Sequence, residues 1–506
     1  MSQAAQRPRI SETPFAGQRV VIVGLARQGS ALARFFCAQG ARVVITDARP
    51  ASELQAEVAT LSGLPVQYVL GGHPLALLDE CDLLCLSGGV PPETPLPQEA
   101  RRRGIPLSND SLLTLHMAPA PAVGITGSSG KTTTTSLVGQ MLQAAGIRAW
   151  VGGNIGTPLI DRVEEIASDH WMVLELSSFQ LQLFAGMDHV AKHAHSMGGL
   201  QVAAVLNISP NHLDRHASMA HYIAAKANIL HYQQEQGVRS DAVAVLGVDN
   251  DVTGRWWREG WVDIEANSGQ EAVHLPIVAR RAGFSLTQEV PEGAFLRGSG
   301  CSGRLVWRTA EREAVICTVG QLKLPGWHNV ANILAALAIS GAAGATPEAM
   351  AGVATRFTGV VHRLELVRER DEVRWYDDSI ATAPERVVAA LRSFAGPVVL
   401  LAGGRDKHLH WEEMADLTLE RVRHLILFGE AAGTIAAAID AARTRRPTCS
   451  SLEVHVCQQL DEAVKVAAQV SQPGDVVLLS PGGTSFDAYR DFEHRGEHFR
   501  ALVHAL

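Results

Sequence analysis

No apolar run in the 506 residues approaches the length of a membrane span. The stretch from Met1 to Thr13 is polar with no apolar centre, so no secretory signal is expected there. Basic residues are outnumbered, 44 Lys and Arg against 52 Asp and Glu, for a formal net charge of −8. That balance excludes a broad basic face for nucleic acid and leaves phosphate binding to local loops. Aromatics are scarce at 5%. The seven cysteines are scattered and odd in number, which argues against a disulfide framework. The close pair, Cys81 and Cys85, sits in Cys81-Asp82-Leu83-Leu84-Cys85-Leu86, a run that reads as a buried strand and not as a metal knuckle. Reduced thiols in a cytoplasmic protein are the expectation. What remains is 46% hydrophobic and 19% charged, with 46 glycines, the composition of an α/β protein with substantial cores. The length suits about three domains.

The most informative stretch is Gly127-Ser128-Ser129-Gly130-Lys131-Thr132-Thr133. It follows the apolar run Ala122-Val123-Gly124-Ile125 and precedes a helical pattern through Met141 and Leu142. Strand, glycine loop and helix in that order make a phosphate cradle, because glycines admit an anion close to the backbone and the helix start points amides at it. Lys131 adds a charge for the outer phosphates, and the Thr132 hydroxyl is placed to ligate Mg²⁺. The loop is a shortened variant, since Ile125 stands where the usual spacing has a glycine. Downstream, Trp171 to Leu176 reads as a strand that delivers Glu175 to its carboxyl end, opposite Thr132. The strand Val202 to Ile208 leads to Asn211-His212-Leu213-Asp214 at a similar rim, where α/β active sites gather. Lys226, on the next helix, reads by itself as a solvated charge. His189, His193 and His195 have an irregular spacing in a glycine-ended context and receive no role.

Before the loop, Arg19 to Asp47 reads as strand, turn, helix and strand with an acidic end, a half-Rossmann pattern whose Gly24 to Gly29 turn lacks the third glycine of a dinucleotide site. A nucleotide diphosphate or nucleotide sugar suits that turn better than NAD. Ala118-Pro119-Ala120-Pro121 reads as a linker. Between Trp256 and Thr318, short strands suggest a small antiparallel sheet beside a parallel one. Asn329 and Asn332 lie one turn apart on an alanine-rich helix. From Val361 onward the strands Val373 to Tyr376, Val398 to Leu401, Leu425 to Phe428 and Val476 to Leu479 make another doubly wound sheet, with polar and glycine residues at their carboxyl ends.

Taken in order, Thr-Gly-Ser-Ser-Gly-Lys-Thr, Gly-Gly-Asn-Ile-Gly, Glu-Leu-Ser-Ser-Phe-Gln, Asn-His-Leu-Asp-Arg, Ala-Ala-Lys, His-Asn-x-x-Asn, His-Arg, Asp-Ser and the final Ser-Phe-Asp and Phe-Glu-x-Arg-Gly resemble the Mur ligases of bacterial peptidoglycan synthesis, over about Gly17 to Leu506. The resemblance implies a three-domain α/β fold: a UDP-precursor-binding Rossmann-like domain at 1–118, a central P-loop-type ATPase domain with a small antiparallel sheet at 119–360, and a glutamate-binding Rossmann-like domain at 361–506. It implies ATP-driven addition of D-glutamate to UDP-N-acetylmuramoyl-L-alanine through an acyl phosphate. By resemblance, residues 127–133 (Gly127, Ser128, Ser129, Gly130, Lys131, Thr132, Thr133), Asn329, Asn332, Arg363 and Asp378 bind ATP. Thr132 and Glu175 hold one Mg²⁺, and His212 with a carbamylated Lys226 holds a second. Lys131, Glu175, His212 and Lys226 are the catalytic set. Gln28, Asp47, Arg49 and Asn154 meet the UDP precursor, and Thr382, Lys407, Ser485 and Phe492 meet glutamate. A cytoplasmic monomer working on small molecules is the expectation, with neither nucleic acid nor membrane as partner.

Two departures bear on specificity. Ser87-Gly88-Gly89 replaces the family's Ser-Pro-Gly, and Asp378-Ser379-Ile380-Ala381-Thr382 lacks the lysine common at position 380. The second matches ligases that add L-glutamate to the same precursor, so that alternative stays open. A non-catalytic nucleotide-gated protein on this scaffold would be expected to lose Lys131, Glu175 or His212, and all three are present. Folylpolyglutamate synthases also add glutamate but would not need a UDP-type first domain.

Overall fold

Aliphatic runs covered on both faces build the three main sheets, as parallel strands require: Val20 to Val23 and Val398 to Leu401 are each at most 1% exposed. The computed structural model describes residues 14–184, 199–210, 215–235, 241–264, 273–324, 326–394, 396–406, 409–446 and 452–506. Of the residues singled out in the sequence, His189, His193, His195, Asn211, His212, Asp214 and Lys407 lie outside them. Contacts divide the chain into two units that meet between Phe357 and Thr358.

The first unit contains a five-stranded parallel sheet in the order Val66–Leu70, Arg42–Asp47, Arg19–Val23, Leu83–Leu86, Leu107–Ser108. Cys85 is buried in its fourth strand, as the sequence pattern implied. The turn after Arg19–Val23 explains its two glycines. A Cβ on Gly29 would lie 1.9 Å from the Gly24 carbonyl oxygen, so helix Arg27–Ala38 can approach only without a side chain there. Ala118 and Ala120 are buried as the chain passes from helix Asp110–Met117 into the strand Pro121–Thr126.

That strand lies inside a nine-stranded sheet ordered Glu313–Thr318, Arg304–Arg308, Gly293–Arg297, Arg280–Ser285, Val243–Gly247, Gly199–Val205, Pro121–Thr126, Trp171–Glu175, Ala149–Gly153. The antiparallel strands expected before Thr318 are present, yet they continue this sheet at its edge and do not stack beside it. An open edge offers unpaired backbone groups, and Gly293–Arg297 takes them up from Arg280–Ser285. Trp256 belongs to helix Asp251–Glu259, and a separate pair joins Trp261–Ile264 to Val273–Pro276. Helices Lys131–Ala144 and Trp327–Ala342 pack against each other, which gives the alanine-rich helix its buried face.

The second unit carries a six-stranded sheet ordered Glu365–Arg370, Val373–Asp377, Val476–Gly482, Val398–Gly403, Val422–Phe428, Glu453–Val456. All pairs are parallel except the first, an edge hairpin. Among the described residues no helix is long and apolar enough to cross a membrane.

Candidate active site

The glycine loop leaves the carboxyl end of Pro121–Thr126 and enters helix Lys131–Ala144 at Gly130. Gly130 has φ 81°, and a Cβ there would lie 2.2 Å from Asn332 Oδ1, so any other residue would be strained and would displace Asn332. Asn207 clamps the loop: its Oδ1 accepts from the Ser129 amide at 3.0 Å, and its Nδ2 donates to the Ser129 carbonyl at 3.2 Å. The Ser128 hydroxyl lies 3.0 Å from the Tyr222 hydroxyl and accepts from the Ser209 amide at 3.0 Å. Lys131 Nζ folds back to donate to the carbonyls of Gly127 at 2.7 Å and Ser128 at 3.4 Å. The helix start has no side-chain cap and no acidic residue in its first turn, which Thr132 and Thr133 occupy. Its amides and the positive end of its dipole therefore favour an anion. Asn332, whose Nδ2 donates to Asn329 Oδ1 at 3.3 Å, borders the same loop.

Two buried groups flank this cradle. Glu175 ends the neighbouring strand in register with Ile125 and is 2% exposed. Its Oε1 accepts from Asn154 Nδ2 at 2.9 Å, while its Oε2 is buried with no hydrogen-bond partner. An orphaned buried carboxylate oxygen at a phosphate loop is the donor a divalent cation would complete. Lys226 is 1% exposed on helix Met219–Glu235, which overturns its reading as a solvated helix charge. Its Nζ donates to the Gly127 carbonyl at 2.9 Å and to Thr126 Oγ1 at 3.3 Å. Burial, joined by the nearby Lys131 charge, pushes its ammonium well below the ordinary lysine range, against an opposing pull from Glu175.

The residues expected to meet the UDP precursor, Asn154 excepted, gather at the first sheet. Asp47 accepts from the Leu25 amide at 2.8 Å, and Arg49 grips it with Nε at 3.1 Å and a terminal nitrogen at 2.9 Å. Burial opposes ionisation of Asp47, but the hydrogen bonds from Arg49 and Leu25 outweigh it and hold the carboxyl below its usual range. Gln28 Oε1 accepts from the Gly88 amide at 2.7 Å, closing the Ser87-Gly88-Gly89 loop over the turn. Asn154, assigned with these residues from the sequence, donates its Nδ2 to Glu175 Oε1.

In the second unit Asp378 is 5% exposed, accepting from Ser480 Oγ at 2.8 Å and from the Leu364 amide at 3.3 Å. Burial pushes its carboxyl up to about 7, although Ser480 and Arg363 favour the charged form. His362, at φ 62°, pairs with Asp377 at 2.7 Å. Ser379 donates its hydroxyl to the Phe492 carbonyl at 2.8 Å, and the fully buried Arg495 donates to Ser379 and to the Gly483 carbonyl. Phe492 thus sits beside the Asp378-Ser379 turn, and Ser485 is buried just beyond Gly483. Thr382 and Ile380 are half-buried and joined by a backbone bond of 2.9 Å.

Three families match the chain in succession: the Mur ligase MurD-like N-terminal domain at 18–109, the Mur ligase middle domain at 125–340 and the Mur ligase glutamate ligase domain at 362–483. A protein of Symbiobacterium thermophilum named UDP-N-acetylmuramoylalanine–D-glutamate ligase is 41% identical over 489 residues, covering 97% of this chain and 98% of its own. The chain is a Mur ligase. A second relative of the same name, from Geobacter metallireducens, is 39% identical over 498 residues, covering 97% of this Mur ligase and 98% of itself. Among solved structures, MurF from Acinetobacter baumannii matches with a TM-score of 0.53 at 17% identity, covering 98% of this chain and 92% of its own. The UDP-N-acetylmuramate–alanine ligase MurC from Thermotoga maritima matches at 0.52 and 17%, covering 96% and 99%. Both share the fold.

Sequence reading of this Mur ligase passed over Asn207, His216 and Arg495. His216 stacks on Phe179 with ring centroids 5.2 Å apart and lies 2.9 Å from Ser178 Oγ, bracing the turn after Glu175. A polar residue closing an apolar strand was the available signal for Asn207, and the Phe-Glu-x-Arg-Gly run already contained Arg495.

Asp378 also makes the second unit sensitive to pH. The native carboxyl keeps its proton to about pH 7, whereas the ordinary value is 3.8. The folded state binds more protons over that interval, so stability falls as pH rises through it. His362, whose Asp377 partner outweighs burial and raises it above 6.5, contributes stability below that value that is lost as pH rises through its folded value. Asp378→Asn is expected to flatten the decline between pH 4 and 7 by a few kcal/mol. Urea unfolding across that range measures it, and an unaltered slope would contradict the burial argument.

Proposed function

We propose that this Mur ligase phosphorylates the alanine carboxylate of UDP-N-acetylmuramoyl-L-alanine with ATP and joins the resulting acyl phosphate to the amine of D-glutamate. The observation that carries the reading is an anion cradle flanked by two buried groups, Glu175 and Lys226, at the carboxyl edge of one sheet. Residues 1–118 hold the UDP precursor through Gln28, Asp47 and Arg49, with Asn154 reaching it from the middle domain. Residues 119–360 hold ATP, and 361–506 hold glutamate through Thr382, Lys407, Ser485 and Phe492. The reaction is assigned to the cytoplasm and to a monomer.

In the first step a carboxylate oxygen attacks the γ-phosphorus and the bond to ADP breaks. The amides of Gly127 to Thr133 and the Lys131 ammonium hold the β- and γ-phosphates in line, and positioning of this kind supplies most of the acceleration in phosphoryl transfer. Asn329 and Asn332 are assigned to the adenine, and Arg363 and Asp378 to ATP, by resemblance to the family. In the second step the uncharged amine attacks the acyl carbon and inorganic phosphate leaves. Thr132 and Glu175 fit one Mg²⁺, and His212 with Lys226 is assigned a second by resemblance to the family. Bound there, Mg²⁺ would neutralise charge on the transferring group. Lys226 suits this role once modified: its uncharged amine adds to carbon dioxide, an N–C bond forms as one C=O π pair moves onto oxygen, the nitrogen releases a proton, and a neutral amine becomes an anionic, carboxylate-like ligand.

The test is phosphate release by the purified chain. Release is expected only when ATP, Mg²⁺, UDP-N-acetylmuramoyl-L-alanine and glutamate are present together. Equal release without the muramoyl precursor would overturn the proposal. One residue favours a second reading, addition of L-glutamate. Ile380 puts an apolar side chain where the family commonly has a lysine.

A further inference from the structure

Two histidines and a glutamate meet on the last two strands of the second unit's sheet, where the ligation chemistry uses none of them. Val422–Phe428 and Glu453–Val456 pair in parallel, with His424 opposite Glu453 and Ile426 opposite His455. Residues two apart on a strand share a face, so all three side chains project to one side. His424 Nδ1 lies 3.4 Å from His455 Nε2 and 3.5 Å from Glu453 Oε2, and His455 Nε2 lies 3.9 Å from the same oxygen. We propose that His424, Glu453 and His455 form a binding site for a divalent transition metal of the zinc class.

The spacing is the first argument. Ligands about 2.1 Å from a tetrahedral centre stand about 3.4 Å from one another, whereas good hydrogen bonds bring such atoms to about 2.9 Å. The His424–His455 edge is a long hydrogen bond at 3.4 Å and the two edges to Glu453 are wider, at 3.5 and 3.9 Å, so the triangle is close to the size a metal needs. The rings are tilted by 35° with centroids 5.6 Å apart, so they are not simply stacked. Donor chemistry points the same way, since neutral imidazole nitrogens are the commonest ligands of such metals. Two nitrogens and one oxygen select zinc, cobalt or nickel over magnesium, which prefers an all-oxygen shell. The site is thus chemically separate from the nucleotide's Mg²⁺.

Its place suggests a clip. Glu453–Val456 is a four-residue edge strand, and a metal shared with His424 would tie it to its neighbour. His424 lies toward the amino end of its strand, whereas Asp378 and Ser485 follow the carboxyl ends of theirs.

The test is calorimetric titration of metal-stripped full-length protein with Zn²⁺ in saturating Mg²⁺ and nucleotide. The natural chain is expected to take up one equivalent that His424→Ala and His455→Ala lose. Glu453→Gln, an exposed and conservative change that should leave folding intact, is expected to weaken that equivalent at least about 10-fold. Ligase activity should be unchanged in Glu453→Gln. Zn²⁺ stoichiometry and affinity that are the same in the natural chain and in Glu453→Gln and His455→Ala would overturn the proposal.

Discussion

Lys131→Ala is expected to lower ATP-dependent ligation at least about 100-fold, the scale on which removal of one charge-stabilising donor acts. Lys131 Nζ donates to the carbonyls of Gly127 and Ser128, both within the cradle. Standing at the start of the helix that follows the glycine loop, it is placed to meet an anion there, and loss of these two hydrogen bonds should cost about 1 kcal/mol of stability each. Loss of turnover with a largely retained unfolding midpoint is the expected pair of results. Near-normal ligation would remove the phosphate cradle from the account. A corollary concerns Lys226, whose amine feels the Lys131 charge as well as burial. Removing that charge should raise the Lys226 value toward the ordinary range and make the amine harder to carbamylate.

The second large effect is expected at Lys226 itself. Lys226→Ala should be nearly inactive, and short carboxylates such as acetate should restore part of the rate by occupying the vacated space. Burying an ammonium here without a charged partner in hydrogen-bond contact would be costly. Its amine donates to a carbonyl and a hydroxyl. A neutral amine converted to a carbamate resolves that cost when a cation is present. Carbon-13 NMR after incubation with labelled bicarbonate should show a carbamate signal in the natural chain and none in the variant. Full activity of Lys226→Ala without additive would return the residue to a purely structural part.

The cradle was legible because strand, glycine loop and helix are consecutive, and Glu175 because a strand end next to such a loop is a local inference. Lys226 was not legible from pattern alone. Its acceptors at Thr126 and Gly127 lie 100 and 99 residues away, and nothing in an alanine-rich helix reports what packs on it. The edge strands after Arg280 showed their antiparallel pairing but not their partner, because the sheet they join begins far upstream. Asn154 shows the same limit at short range: the motif was visible, but its partner Glu175 is set by strand order. The buried Arg495 depends on the Asp378-Ser379 turn, 116 residues away. Pattern reading finds local devices well, while long-range burial decides their protonation and partners.

The most direct test of the central claim is product formation from UDP-N-acetylmuramoyl-L-alanine with each glutamate enantiomer supplied separately. Inverting the α-carbon turns the amine away from the acyl phosphate, and a misplacement of about 1 Å can cost about 100-fold in rate. The account predicts faster ligation with D-glutamate, despite Ile380 in the Asp378-Ser379-Ile380 turn. Faster ligation with L-glutamate would contradict it and assign Ile380 the deciding role.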